Sequence, residues 1–307
     1  MGDRLAVRWG YAGGTTLATV AETRAEAMWA EAAGFDSFWV SQASAVDPVV
    51  ALAAIAEDTA IAEMGTSVVP LYGRHPVSLG QAVRTAQTAL GGRFTLGVGP
   101  SHRAPVESTL GLAWDRPFGY TRDFLAGLLP LLAGKRVDVD GEHVTAHAEL
   151  IVDAPDTPLL LAALGPRMLE LAGRVTAGTT LGQTGPRSIA SYVVPTLHAA
   201  AEAAGRPEPR IMALVGVCVT DDLEAAGRAA HAVGEGYNAL PSYRAMVERE
   251  GVTHPSDLYL RGTWEQVLDG IAAYAAAGVT DLRLVIIPGS DDDRIATKEA
   301  LATHLHP

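Results

Sequence analysis

One local pattern recurs along this chain and limits what it can become. An alanine-rich helical stretch closes on small residues and a glycine, and a short apolar strand follows. It stands at Ala32-Ala33-Gly34 before Phe38-Trp39-Val40, at Leu90-Gly91-Gly92 before Phe94-Thr95-Leu96, and at Ala276-Ala277-Gly278 before Leu282-Arg283-Leu284-Val285-Ile286. Looser copies stand at Leu171-Ala172-Gly173 and Ala203-Ala204-Gly205. A glycine just past a helix accepts the left-handed conformation that closes the last turn. The apolar run after it reads as a strand buried on both faces, as in a parallel sheet.

The pattern places strands near Leu5–Tyr11, Ser37–Ser41, Ala62–Val69, Phe94–Val98, Leu159–Ala163, Gly178–Leu181, Arg210–Val219 and Leu282–Ile287. Eight strands alternating with helices favour a closed (β/α)8 barrel over an open sheet. The first helix is expected after Gly13-Gly14, capped by Thr15 or Thr16, with Leu17, Val20, Met28 and Trp29 on its apolar face. Two intervals exceed one helix. Between Val98 and Leu159 the sequence predicts a loop, a helix near Arg116–Leu132, and a hairpin over Val137–Val144 around Asp140-Gly141. Asp221 to Glu250 reads as helical. Both are taken as insertions in βα loops, near 100–157 and 221–260, of one barrel domain over 1–307. No low-complexity linker is visible.

Charge narrows the partners. The formal net charge is −12, from 23 basic and 35 acidic residues. That argues against nucleic acid or an anionic membrane, which need a basic face. The start, Met1-Gly2-Asp3-Arg4-Leu5, lacks a signal-peptide pattern, and no apolar run approaches a membrane span, so a cytoplasmic protein is expected. The single cysteine, Cys218, lies in an apolar run and reads as a small buried hydrophobe.

Several chemistries lack their motifs. There is no G-x-x-x-x-G-K-[ST] loop and no H-E-x-x-H helix. Gly97-Val98-Gly99 follows a strand, but the third glycine of the dinucleotide fingerprint is replaced by His102. The nine histidines are scattered without close ligand spacing, so no metal is expected.

In a barrel, polar residues just past each strand are the functional candidates. They are Ser41-Gln42; Gly65-Thr66-Ser67-Val68-Val69-Pro70, then Arg74-His75-Pro76; Gly97-Val98-Gly99-Pro100-Ser101-His102-Arg103; Ala162-Ala163-Leu164-Gly165-Pro166-Arg167; and Gly182-Gln183-Thr184-Gly185-Pro186-Arg187. At Gly165 a missing side chain lets backbone approach a ligand, and the helix opening at Pro166 offers N–H groups to a phosphate. An ordinary turn glycine is the equal alternative. Ser101-His102-Arg103 reads as a site or as a solvated loop. His75 reads better as a helix start than as a catalyst.

Taken in order, these motifs resemble the luciferase-like monooxygenase superfamily, in its coenzyme F420-dependent branch. The resemblance spans nearly the whole chain. It rests on Gly34-Phe35-Asp36-Ser37-Phe38-Trp39-Val40, Gly65-Thr66-Ser67-Val68-Val69-Pro70, Arg74-His75-Pro76, Gly91-Gly92-Arg93-Phe94-Thr95-Leu96-Gly97-Val98-Gly99, Ala163-Leu164-Gly165-Pro166, Thr184-Gly185-Pro186, and Leu240-Pro241-Ser242-Tyr243-Arg244-Ala245-Met246. It implies a deazaflavin or flavin in the barrel mouth and a non-proline cis bond at Ser67–Val68 behind the ring. It also implies a phosphate on Ala163-Leu164-Gly165-Pro166. Gln42, Gly99, Ser101, His102, Gln183 and Thr184 complete the implied coenzyme contacts. A homodimer is implied as well.

One departure is informative. Many F420-dependent members carry an acidic residue and a histidine after the second strand, and in sugar-phosphate dehydrogenases that histidine is the base. Here the positions are Gln42 and Ala43, and neither takes a proton at neutral pH. The resemblance then implies a reductase that delivers hydride from reduced F420 to an activated C=C or C=N bond of a small molecule. His102 would stabilise the coenzyme or relay a proton, and Gln42 would orient. The alternatives are an FMN-dependent monooxygenase and a non-catalytic coenzyme-binding barrel.

Overall fold

A computed structural model describes residues 5–306. The Met1-Gly2-Asp3-Arg4 part of the signal-peptide reading lies outside the described residues. The eight barrel strands are β1 (Arg8–Ala12), β2 (Ser37–Val40), β3 (Glu63–Thr66), β4 (Phe94–Gly99), β5 (Leu159–Ala162), β6 (Gly178–Leu181), β7 (Arg210–Val219) and β8 (Asp281–Ile286). They are ordered β7-β8-β1-β2-β3-β4-β5-β6, and β6 pairs back onto β7, which closes a parallel (β/α)8 barrel. Six of the eight match the expected strands to within a residue or two. The first begins at Arg8 rather than Leu5, and the third ends at Thr66, with Val69–Pro70 resuming beside β4.

By contacts the chain divides into two compact units. One comprises Gly13–Met28 and Phe38–Ala162. In it β3 pairs β4 through Met64↔Phe94, and β4 pairs β5 through Leu96↔Leu159. Every residue of β3 and β4 is buried, as in a parallel sheet covered on both faces, and the polar ones are paired: Thr66 bonds the Gly97 backbone and Thr95 donates to Glu63. Two glycines there are required by close approach. A Cβ on Gly65 would lie 2.3 Å from the Trp39 ring, and one on Gly97 would lie 2.0 Å from the Thr66 carbonyl oxygen.

The long interval after β4 holds a helix at Pro117–Leu132 and a hairpin, both as expected in kind. The hairpin pairs Val137–Asp140 with Thr145–Ala148, so its loop is Gly141 to Val144 rather than a tight Asp140-Gly141 turn. The Gly141 N–H donates to the Val144 carbonyl at 3.0 Å. Arg84 ties this interval to the helix Pro76–Ala89. Its guanidinium donates to the carbonyl oxygens of Leu132, Val152 and Ala154 at 2.7 to 3.0 Å.

The first helix runs Val20–Ala32, later than expected. Thr19, not Thr15 or Thr16, is its cap. The Thr19 hydroxyl accepts the Glu22 N–H at 3.1 Å, and Glu22 returns a carboxylate to the Ala18 and Thr19 N–H groups. This is a capping box, which outcompetes a lone threonine upstream. Thr23, Ala27 and Ala30 form its buried side, while Met28 is 49% exposed.

The other unit comprises the segment ending at Ala12, Trp29–Ser37 and the chain from Ala163 onward. Here β8 is central, in register with β1 (Gly10↔Arg283) and with β7 (Leu214↔Arg283). Asp281 opens β8 almost fully buried and pairs with Arg210 at 2.6 Å and Arg8 at 3.4 Å. The expected helical interval after β7 resolves into helices Leu223–Asn238 and Pro241–Glu250, followed by a 3-10 turn at Pro255–Leu258. Cys218 is buried, and burial pushes its thiol up. No helix among the described residues is long and apolar enough to cross a membrane.

Candidate active site

In the unit containing Phe38–Ala162, β2 and β3 end side by side. The Ser67–Val68 peptide bond is cis, at the bond that the resemblance implied. The Ser41 hydroxyl donates to the Ser67 carbonyl at 2.5 Å, and the Gln42 N–H donates to the Val68 carbonyl at 3.2 Å. Gln42 is also held by its side chain. Its Oε1 accepts from Arg74 at 2.9 Å, and Arg74 meets Asp47 through the same nitrogen. Arg74 therefore serves the orientation of Gln42. His75 is the cap of helix Pro76–Ala89, accepting the Val77 N–H, which bears out the helix-start reading.

At the end of β4, Gly99 packs where a Cβ would stand 3.0 Å from the Ala162 side chain and 3.2 Å from that of Val68. Ser101 has a left-handed backbone, φ 72°. A non-glycine residue holds such a conformation at a cost that surrounding structure must offset, and such residues gather at functional sites. His102 is half-buried, and burial pushes its pKa below 6.5. Its imidazole is therefore neutral at pH 7, a proton carrier rather than a standing cation. In the same unit, Tyr72 stacks on Tyr120 at 4.1 Å and tilts against Trp114 at 4.9 Å. Burial, with Tyr120 and Asp115 beside it, pushes the Tyr72 phenol up to about 12.

In the unit containing Ala163 onward, two Gly-Pro turns each open a helix. At Gly165-Pro166 no side chain caps the first turn, and φ is an ordinary −78°. A Cβ at Gly165 would meet nothing within 4 Å. Neither backbone conformation nor packing among the described residues demands glycine there, and the turn is exposed. Leu164 is positioned by its carbonyl, which accepts the Tyr192 hydroxyl at 3.1 Å, and Ala163 is buried. At Gly185-Pro186 the opposite holds. The Glu250 carboxylate accepts the Arg187 and Ser188 N–H groups at 3.0 and 2.7 Å, and a Cβ on Gly185 would fall 2.3 Å from it. That turn already holds an anion.

Gln183 is buried with a left-handed backbone, φ 48°; its side chain lies against the Tyr259 phenol, and its Oε1 has no hydrogen-bond partner among the described residues. An orphaned buried acceptor costs roughly 1–3 kcal/mol unless a ligand supplies a donor. The Thr184 hydroxyl is spent on the Gly182 carbonyl at 2.9 Å. Sequence reasoning missed Arg283. It lies buried in β8, where burial pushes its pKa down to about 10 against the opposing effect of Tyr237 and Tyr243. Those two rings meet edge to face at 5.1 Å, and Tyr243 covers Gly182. The signal was available: Arg283 is a cation inside an apolar strand.

The uncapped turn at Gly165 and the orphaned Gln183 acceptor fit a coenzyme with a phosphate and a ring bearing N–H groups. The profile of the luciferase-like monooxygenase family matches residues 6–281. A 5,10-methylenetetrahydromethanopterin reductase of Methanolobus tindarius is 29% identical over 73% of this chain and 69% of its own length. An F420-dependent glucose-6-phosphate dehydrogenase of Beutenbergia cavernae is 34% identical over 66% of this chain and 64% of its own. Among solved structures, an F420-dependent secondary alcohol dehydrogenase in complex with an F420-acetone adduct superposes with a TM-score of 0.78, at 19% identity, over 98% of this chain and 99% of that one.

Proposed function

The chain belongs to the luciferase-like monooxygenase family of oxidoreductases, and from that premise we propose that it is a coenzyme F420-dependent reductase of a small organic substrate. The observation that carries the coenzyme is the contrast between the two Gly-Pro turns: Glu250 fills one, and the Gly165 turn stands open for a phosphate. Pro166 presets that first turn, and Ala163 and Leu164 hold the backbone that leads into it. Ser67, Val68 and Gly99 supply the wall for the ring, and Gln183 takes a ring N–H on its orphaned oxygen. Thr184 acts by shaping this turn rather than by donating its hydroxyl.

Reduced F420, when bound, supplies a hydride for an activated C=C or C=N bond. The chain's own part is to hold the partners, exclude water and manage one proton. His102, neutral at pH 7 and half-buried, accepts and hands on that proton without bringing a permanent charge. Gln42 keeps its NH2 edge for a ligand because Arg74 occupies its oxygen. Ala43 cannot take the proton that alcohol oxidation releases, which favours reduction. The Tyr237–Tyr243 segment, with Arg283 beneath it, suits a substrate with an electron-rich group.

Fluorescence titration of the purified chain with F420 and with FMN tests the coenzyme. Tighter F420 binding is expected. Preferential FMN binding, with oxygen consumed on turnover, would replace this reading by a monooxygenase. His102→Ala is expected to slow single-turnover hydride transfer far more than it weakens coenzyme binding. Unchanged turnover removes His102 from the mechanism.

A further inference from the structure

Two of the histidines that look scattered in sequence, His231 and His254, meet in one place. His231 and Glu235 lie one turn apart on the same side of the helix Leu223–Asn238. His254, at the cap of the 3-10 turn Pro255–Leu258, faces them. Nε2 of His254 stands 3.2 Å from Oε2 of Glu235, and Nε2 of His231 stands 3.7 Å from the same oxygen. The two imidazoles stack at 4.1 Å, and the three ligand atoms all lie within 4.8 Å of one another.

We propose that His231, Glu235 and His254 form a binding site for a divalent transition-metal ion, zinc foremost. The site is separate from the coenzyme reading and does not depend on it. Two nitrogens and one carboxylate oxygen are a donor set that zinc accepts, with water in the remaining position. Zinc bonds of about 2.0–2.2 Å place neighbouring ligands of a tetrahedron roughly 3.4 Å apart. The two distances to Glu235 already straddle that spacing. Only the His231–His254 edge must adjust, and His231 is exposed and can turn.

Three features prepare the site. The His254 side chain is only 12% exposed, so one ligand is fixed in advance. Gly234 makes that possible, since a Cβ there would lie 2.8 Å from the His254 ring. The far nitrogen of His254 also has a partner: Nδ1 is 2.7 Å from the Ser256 hydroxyl. A metal on Nε2 moves the ring proton to Nδ1, where the Ser256 oxygen accepts it, the outer contact that orients metal-bound histidines. The Ser256 N–H gives up its 3.2 Å bond to Nδ1 in exchange. A nitrogen-containing set of this kind favours zinc, nickel or copper over magnesium and calcium. Bound metal would staple the helix Leu223–Asn238 to the 3-10 turn.

The test uses the full chain, freed of metal by chelator, then incubated with zinc or with cobalt as a visible reporter and dialysed. Elemental analysis is expected to find one zinc at this site, with tetrahedral cobalt absorption in the visible. His231→Ala, an exposed substitution that leaves the fold intact, is expected to lose that zinc and that absorption. Ser256→Ala is expected to weaken zinc binding by about tenfold or more. A wild-type chain that retains no zinc, or a His231→Ala chain that retains as much as wild type, overturns the proposal.

Discussion

Arg74 donates a hydrogen bond of 2.9 Å to the side-chain oxygen of Gln42. The same nitrogen meets Asp47, whose other oxygen accepts the Val49 and Val50 N–H groups at 3.0 and 3.2 Å and so caps the helix Pro48–Ala54. Gln42 is thus aimed by a relay anchored in a helix terminus. Arg74→Met should free it. Single-turnover hydride transfer is expected to slow about tenfold, or about 1.4 kcal/mol of barrier. Folding stability should change by less than about 1 kcal/mol, because the Arg74–Asp47 pair is half-exposed. An unaltered transfer rate would deny Gln42 an orienting role.

The two Gly-Pro turns make opposite forecasts. Gly165→Ala adds a methyl group in open space and should cost under about 1 kcal/mol of stability as a poorer cap, while weakening F420 binding about tenfold. Gly185→Ala drives a methyl group into Glu250 and should cost about 1–3 kcal/mol of stability. Urea unfolding and coenzyme titration of both variants check the pair. Equal effects on coenzyme binding would count against the phosphate assignment.

Burial holds the His102 pKa below its ordinary 6.5. The folded chain therefore binds fewer protons than the unfolded one in the window below 6.5. The contribution is negligible above that pH, and stability is lost as pH falls through 6.5 toward the folded value. Proton NMR of the His102 ring should show a midpoint below 6.5, and His102→Gln should lessen the loss of stability on acidification. A midpoint above 6.5 would reverse both the sign and the neutral-imidazole mechanism.

His147 titrates the other way. Hydrogen bonds to Asp138 and then Asp140 raise its pKa above 6.5. Its pairing with both carboxylates across the hairpin is complete below pH 6.5 and is lost as pH rises through the folded value. Asp138→Asn should bring the His147 midpoint back toward 6.5 by NMR. No movement would mean that the pair does not persist in solution.

Arg84 is buried and serves three carbonyl groups of the interval after β4. Arg84→Ala should cost about 3 kcal/mol, since the orphaned carbonyls stay buried. Arg84→Lys should recover only part of that, because one ammonium cannot reproduce the guanidinium fork. Chemical denaturation measures both.

The strands were legible where burial on both faces leaves a short run of apolar and small or β-branched residues behind a helix-ending glycine, as at Phe94–Val98 and Leu282–Ile286. Helix limits were less legible. Thr15, Thr16 and Thr19 look alike in sequence, and only the return of the Glu22 carboxylate selects Thr19. The hairpin loop was misplaced because Asp140-Gly141 carries the signature of a tight turn while the register pairs Asp140 with Thr145. Candidate residues could be located by their place after each strand. What they face could not be, since that depends on partners distant in the chain. Glu250 lies 63 residues from Arg187, and nothing local announces that its carboxylate fills the second turn.

That filled turn offers something to the chemist. Glu250 is a worked sample of an oxyanion docked on a Gly-Pro helix start of this same chain, with both oxygens engaged at 3.0 and 2.7 Å. An inhibitor aimed at the phosphate site proposed at Gly165 can start from the same group, a compact carboxylate on a short flexible stem.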